Sequence, residues 1–162
     1  MAGFQNTVTV NPAYAVEGDF ASDNPRANVL NSPEDGLTAG ADGVTIGRFA
    51  WVNQADQTVR NNGTGAPDGF VARHMNALIN ALTAEASMLI PAGRTLALHS
   101  KGDFWAKTKT VATVGQKVFA STTTGEVSTG AAGASVGGHV ETAFVVATAA
   151  GANELIKITT NK

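Results

Sequence analysis

The sequence predicts a mainly β protein: a small antiparallel β-barrel or sandwich-like module with an extended N-terminal arm and at most one helix, over about residues 71–86. Three observations predict it. Short apolar runs at residues 95–99, 104–107, 116–121 and 126–129 are separated by Pro91-Ala92-Gly93, Lys101-Gly102-Asp103 and Thr124-Gly125-Glu126. Those separators are turn chemistry, because Gly and Asp tolerate the backbone angles of a tight reversal. Within the runs, Leu96 and Leu98 share one strand face, as do Val118 and Ala120, by the period of two. Finally, 162 residues at 43% apolar can bury one core and leave chain over for an arm.

Taken in order, residues 1–42 do not read as a compact unit. Pro12, Pro25 and Pro33 punctuate them, with Gly18, Gly36 and Gly40 between. Proline fixes φ and bars central-strand pairing, so an extended path across a surface is expected, with a short strand at Val8 and Val10. The remainder, residues 43–162, is expected to be the β-rich domain. Phe20 stands beside the Gly18-Asp19 turn and needs a pocket, on this chain or on a neighbour.

Residues 43–52 read as the first strong strand. Val44, Ile46, Ala50 and Val52 fall on one face and Phe49 and Trp51 on the other, so both faces must be covered, by this chain or by a partner. Arg48 is expected in a rim ion pair. A polar loop or hairpin follows over residues 53–69, with Asn62-Gly63 as its turn signal. Val71, Met75, Leu78 and Leu82, spaced four, three and four, carry the expected helix, although a hairpin could also hold residues 77–82. Beyond the central module, residues 130–138 are a small-residue linker, and strands are expected at 141–148 and 154–160. A faint echo between residues 118–127 and 144–155 suggests a repeated hairpin.

Candidate chemistry is sparse. Charged residues make up 15% of the chain, against roughly 25% in ordinary soluble proteins, and the net charge is −2. Lys and Arg are scattered, so no basic stripe invites nucleic acid. There is no cysteine, hence no disulfide and no thiolate chemistry. The N-terminus lacks a signal-peptide pattern, no apolar run reaches a membrane span, and synthesis in the cytoplasm is the expectation. His74, His99 and His139 lie 25 and 40 residues apart, without the local spacing of a metal site. Ser100, His99 and Asp103 are near one another in sequence but alternate across a strand, and no G-x-S-x-G elbow or phosphate-binding glycine loop is present. Asp19, Asp103 and Glu126 adjoin glycines, where exposed turn acids are expected. No catalytic, metal or cofactor site follows.

An ordered set of short motifs does point somewhere. Gly18-Asp19-Phe20-Ala21, Asn24-Pro25-Arg26, the run from Gly43 to Trp51, Ile90-Pro91-Ala92-Gly93, Gly102-Asp103-Phe104-Trp105, the run from Val114 to Val118, Glu141-Thr142 and the run from Phe144 to Ala147 occur in sequence. Together they resemble the structural cement, or head decoration, proteins of tailed bacteriophages. The resemblance implies a non-enzymatic β protein without cofactor, on the outer surface of a virion capsid assembled in the host cytoplasm. Its partners would be the major capsid protein, whose neighbouring subunits it cements in the expanded head, and itself, as a homo-oligomer, dimer or trimer. Nucleic acid and membrane are not expected partners. Phe20, Phe49 and Trp51 are the candidate capsid-binding anchors, with burial in the chain's own core as the alternative for each. The competing reading is another β-rich virion component, a tail tube, spike or fibre module.

Overall fold

A computed structural model describes residues 14–30, 36–74 and 87–161, and these described residues form thirteen short strands. They are β1 (Ala27–Asn28), β2 (Thr38–Ala39), β3 (Val44–Thr45), β4 (Phe49–Asn53), β5 (Thr58–Arg60), β6 (Gly69–Phe70), β7 (Leu89–Ile90), β8 (His99–Lys101), β9 (Asp103–Lys107), β10 (Lys117–Ser121), β11 (Val127–Gly130), β12 (His139–Val146) and β13 (Leu155–Thr159). One sheet has the order β1-β8-β6-β4-β5-β2, a second β11-β10-β12-β13-β9, and β3 pairs with β7 alone. All pairings are antiparallel except β2 with β5. The architecture is a sandwich, not a closed barrel.

Two cores explain it. In the first, Phe49, Trp51 and Phe70 of one sheet meet Phe104, Val118, Phe144, Ile156 and Ile158 of the other. Rings of Phe49, Phe70, Phe104 and Phe144 interlock at centroid distances of 5.1–6.4 Å, in tilted and edge-on contacts that add to the burial energy. In the second core, Leu37, Ala39, Val44, Ile46, Ala50, Val59, Val71, Ile90 and Leu98 pack together. Adjacent residues of β4 therefore serve different cores, Phe49 the first and Ala50 the second. Both faces of residues 43–52 are covered within this chain, so that stretch gives no argument for a second copy.

Several local expectations shift. The strand expected over residues 43–52 is broken at Gly47, whose φ of 78° turns the chain between β3 and β4. Asn62-Gly63 is not the hairpin turn; β4 and β5 are joined through residues 54–57. Gly63 instead lies under the Trp51 ring, where a Cβ would come within 2.3 Å of Cγ. The strand around Leu98 begins only at His99. Of the helix expected over about residues 71–86, residues 75–86 lie outside the described residues. Val71 and Arg73 donate to Arg48 O and Gly18 O, and this start is not helical. The Val8–Val10 expectation also lies outside the described residues. Among the described residues no helix is long and apolar enough to cross a membrane.

Candidate functional site

The described part of the expected arm runs over the sandwich before Leu37 and Ala39 enter the second core. Residues 18–21 form a backbone ladder along β9, which the sheet otherwise leaves at its edge. Gly18 N donates to Trp105 O at 2.7 Å, Trp105 N to Asp19 O at 2.8 Å and Ala21 N to Asp103 O at 2.9 Å. Residues 27–28 then pair with β8. This strap covers donors and acceptors that an open edge would present to other chains.

Asp103 fastens the strap. Its Oδ2 accepts from Ser22 Oγ and Asn24 Nδ2, both at 2.6 Å, while its Oδ1 accepts from Asn161 Nδ2 at 3.1 Å and from Thr159 Oγ1. Burial works to raise the carboxyl's pKa, but these hydrogen bonds outweigh it and hold the group below its ordinary value. A carboxylate with a depressed pKa contributes its full stabilisation above its unfolded value and loses it as the pH falls through the depressed one. Asp103→Ala is expected to cost about 2 kcal/mol, the scale of lost charged hydrogen bonds, and to raise hydrogen exchange at Ala21 more than in β10. Asp103 is therefore not the free turn acid expected from its neighbour Gly102. Its partners come from positions about 80 and 56 residues away, which adjacency in sequence does not show. Asp19 and Glu126 are also engaged: Asp19 with Arg73 at 3.1 Å, Glu126 with Lys109 at 3.1 Å and Arg48 at 3.2 Å. Arg48 thus makes its expected rim ion pair.

Phe20 is half-buried. Its ring lies edge-on to His74 and His99, at 5.6 and 5.5 Å, and 5.7 Å from Phe104, with the Arg26 guanidinium 4.1 Å above it. Phe49 and Trp51, at 1% and 8% exposure, lie in the first core, and Trp51 Nε1 donates to Gly65 O at 3.0 Å. The three candidate anchors are therefore not one surface: Phe20 alone among them borders a groove.

That groove, of about 620 Å³, is lined by Phe20, Arg26, Asn28, Leu30, His74 and His99, with Leu30 95% exposed. A second apolar surface was missed in the sequence. Tyr14, 80% exposed, packs 5.2 Å from Trp105, and Lys157 Nζ sits 4.9 Å from the same ring. Alternation along β9 was the available signal: Phe104 and Ala106 point inward, so Trp105 points outward.

Of the histidines, His74 and His99 meet, with Nε2 atoms 3.2 Å apart. His139 lies elsewhere, 3.1 Å from Ser128 Oγ and 2.9 Å from Gly137 O. No group of three or more His, Cys, Asp or Glu among the described residues could hold a metal ion. Ser100, His99 and Asp103 do not assemble: Ser100 Oγ donates to Ala27 O and Asp103 serves the strap.

No curated protein matches the chain. Among solved structures, a chain from the capsid of Myoviridae phage XM1 is similar over 100% of this chain and 99% of its own length. Its TM-score is 0.63 at 16% identity, a likeness of fold. The family model described as XM1 gp53 minor capsid protein matches residues 4–160. The chain therefore belongs to the XM1 gp53 minor capsid protein family, and is a capsid-associated structural protein of a tailed-phage virion.

Proposed function

We propose that this protein binds the outside of the phage head, bridges neighbouring major capsid subunits and so cements the expanded shell, with a structural role and no catalysis or cofactor. The observation that carries this reading is the pair of apolar surfaces left outside a well-packed sandwich. They are the groove rimmed by Phe20 and Leu30, and the Tyr14–Trp105 face. Aromatic and aliphatic anchors of this kind dominate protein contacts. The low charge of the chain limits the desolvation cost of broad contact. Self-association as a dimer or trimer belongs to the same proposal, with the exposed Val111 and Val114, each 66% accessible, as contact candidates.

Bridging has a thermodynamic signature. A ligand that binds the assembled shell stabilises it by mass action, by about 2.7 kcal/mol per site at a hundred times its Kd. Purified expanded heads and free major capsid subunits are to be incubated with the protein and separated by sedimentation. Heads are expected to retain it and to melt higher, while free subunits bind it at least about tenfold more weakly, a difference of roughly 1.4 kcal/mol. Leu30→Ser and Tyr14→Ser are expected to reduce decoration by about tenfold or more with the melting of the free protein unchanged. Absence of binding to heads, or equal binding to free subunits, would overturn the bridging role.

A further inference from the structure

The contact between His74 and His99 has an assignable protonation state. His99 is 3% exposed, and its Nδ1 is buried with no hydrogen-bond partner. A buried orphan N–H is costlier than a buried orphan lone pair, so the Nδ1 of His99 is bare. His99 must then carry its proton on Nε2 and donate it to Nε2 of His74, 3.2 Å away. His74, which is half-buried, accepts it there. A proton added to His99 Nδ1 creates a buried cation without an acceptor.

The surroundings reinforce this. Arg26 lies over Phe20 and faces the same cluster, adding a positive charge. Arg73, beside His74, is tied to Asp19, and Lys101 lies two residues along β8. Across from His99 stand Asn28 of β1 and Phe70 of β6, and Phe104 of β9 packs 5.4 Å from its ring, all uncharged. The Asp103 carboxylate is committed to Ser22, Asn24, Thr159 and Asn161. Burial first, then His74 and Arg26, push the pKa of His99 down to about 4.

We propose that His99 is an acid-sensitive latch on the strap: neutral and hydrogen-bonded to His74, it seats the Phe20 ring against the sandwich, and its protonation releases residues 18–28 from β9 and β8. The sign follows from linkage. The closed form excludes a proton that the open form accepts near an ordinary histidine pKa, so closure is complete above about pH 6.5 and weakens below it. With about 4 in the closed form, opening at pH 5 should be roughly ten- to thirtyfold more populated than at pH 7.5.

Hydrogen exchange, corrected for the intrinsic pH dependence of amide exchange, tests this on the full chain. Protection at Gly18, Ala21 and Trp105 is expected to fall by that factor between pH 7.5 and 5, while amides of β10 and β12 keep theirs. His74→Gln keeps an acceptor for His99 but cannot titrate, and His99→Phe keeps the ring stack without a proton site. His99→Phe is expected to hold the strap's protection flat over this range, while His74→Gln, in which His99 is still buried and still takes up a proton on opening, is expected to keep most of the fall. Undiminished protection of the wild type at pH 5 would overturn the latch. A fall of the same size in His99→Phe would do the same, with His99→Leu measured in its place if that variant does not fold.

Discussion

Phe49→Ala is expected to lower the stability of the free protein by about 3–5 kcal/mol, the range for deleting a fully buried ring whose cavity closes only in part. Phe49 is 1% exposed and stands between Phe70 and Phe144, at 5.3 and 5.5 Å, in the middle of the contact between the two sheets. For a domain of this size each kcal/mol shifts the melting point by roughly 2–4 °C, so a fall on the order of 10 °C or more should appear in a thermal melt. The same substitution in a residue that served only as a capsid contact would leave the melt untouched and remove decoration. An unchanged melting curve for Phe49→Ala would therefore sink its assignment to the core.

Gly125→Ala is expected to be worse, costing more than about 4 kcal/mol and leaving little folded protein. Two effects combine. Gly125 has φ of 67°, where a side chain costs roughly 1–2 kcal/mol. An added Cβ would also fall 2.2 Å from Phe49 O and 3.1 Å from Asn61 O. Both are backbone atoms, and Phe49 O already accepts from Asn61 Nδ2 at 3.0 Å. Neither can move without pulling β4 from the turn between β10 and β11, since Phe49 N donates to Gly125 O at 2.8 Å. Gly115→Ala is the control. Its φ is 89° with nothing within 4 Å of the added Cβ, so only the backbone cost of about 1–2 kcal/mol remains. Equal effects of the two substitutions, read by circular dichroism and denaturant titration, would show that the close approach at Gly125 is unimportant.

Where strands bury one face over a turn-bounded run, the sequence was readable. Residues 104–107, 116–121 and 126–129 were expected as strands and appear as β9, β10 and β11 within a residue or two. Gly47 shows why residues 43–52 were harder. A glycine inside an apolar alternation looks like a weak strand position, and only its backbone angle reveals a turn. Asn62-Gly63 was misleading for a related reason: its glycine is needed to admit the Trp51 ring, which is a tertiary demand. Of the site, Phe20 was visible as an aromatic in need of a pocket. The pocket itself was not, because His74, His99 and Phe104 reach it from three different segments. The four-way grip on Asp103 was equally hidden, for want of any periodic signal linking residues 22, 24, 159 and 161.

The placement of β9 between the strap and β13 sets how the molecule answers to force. Both neighbours run antiparallel to β9: Gly18 and Ala21 meet Trp105 and Asp103, while Leu155 and Thr159 meet Lys107 and Asp103. Strap and β13 are thus parallel to each other, and chain leading back from residue 18 leaves at the Lys107 end while chain leading on from Thr159 leaves at the Asp103 end. Tension drawn between those two exits acts along the strands, so it loads both ladders in shear and must break their hydrogen bonds together instead of unzipping them one at a time. Resistance to such a pull is set by the rate of forced unfolding, not by equilibrium stability. In the proposed bridging role, the chain would then hold longest when stretched end to end, and would yield more readily to a pull directed across the sheet.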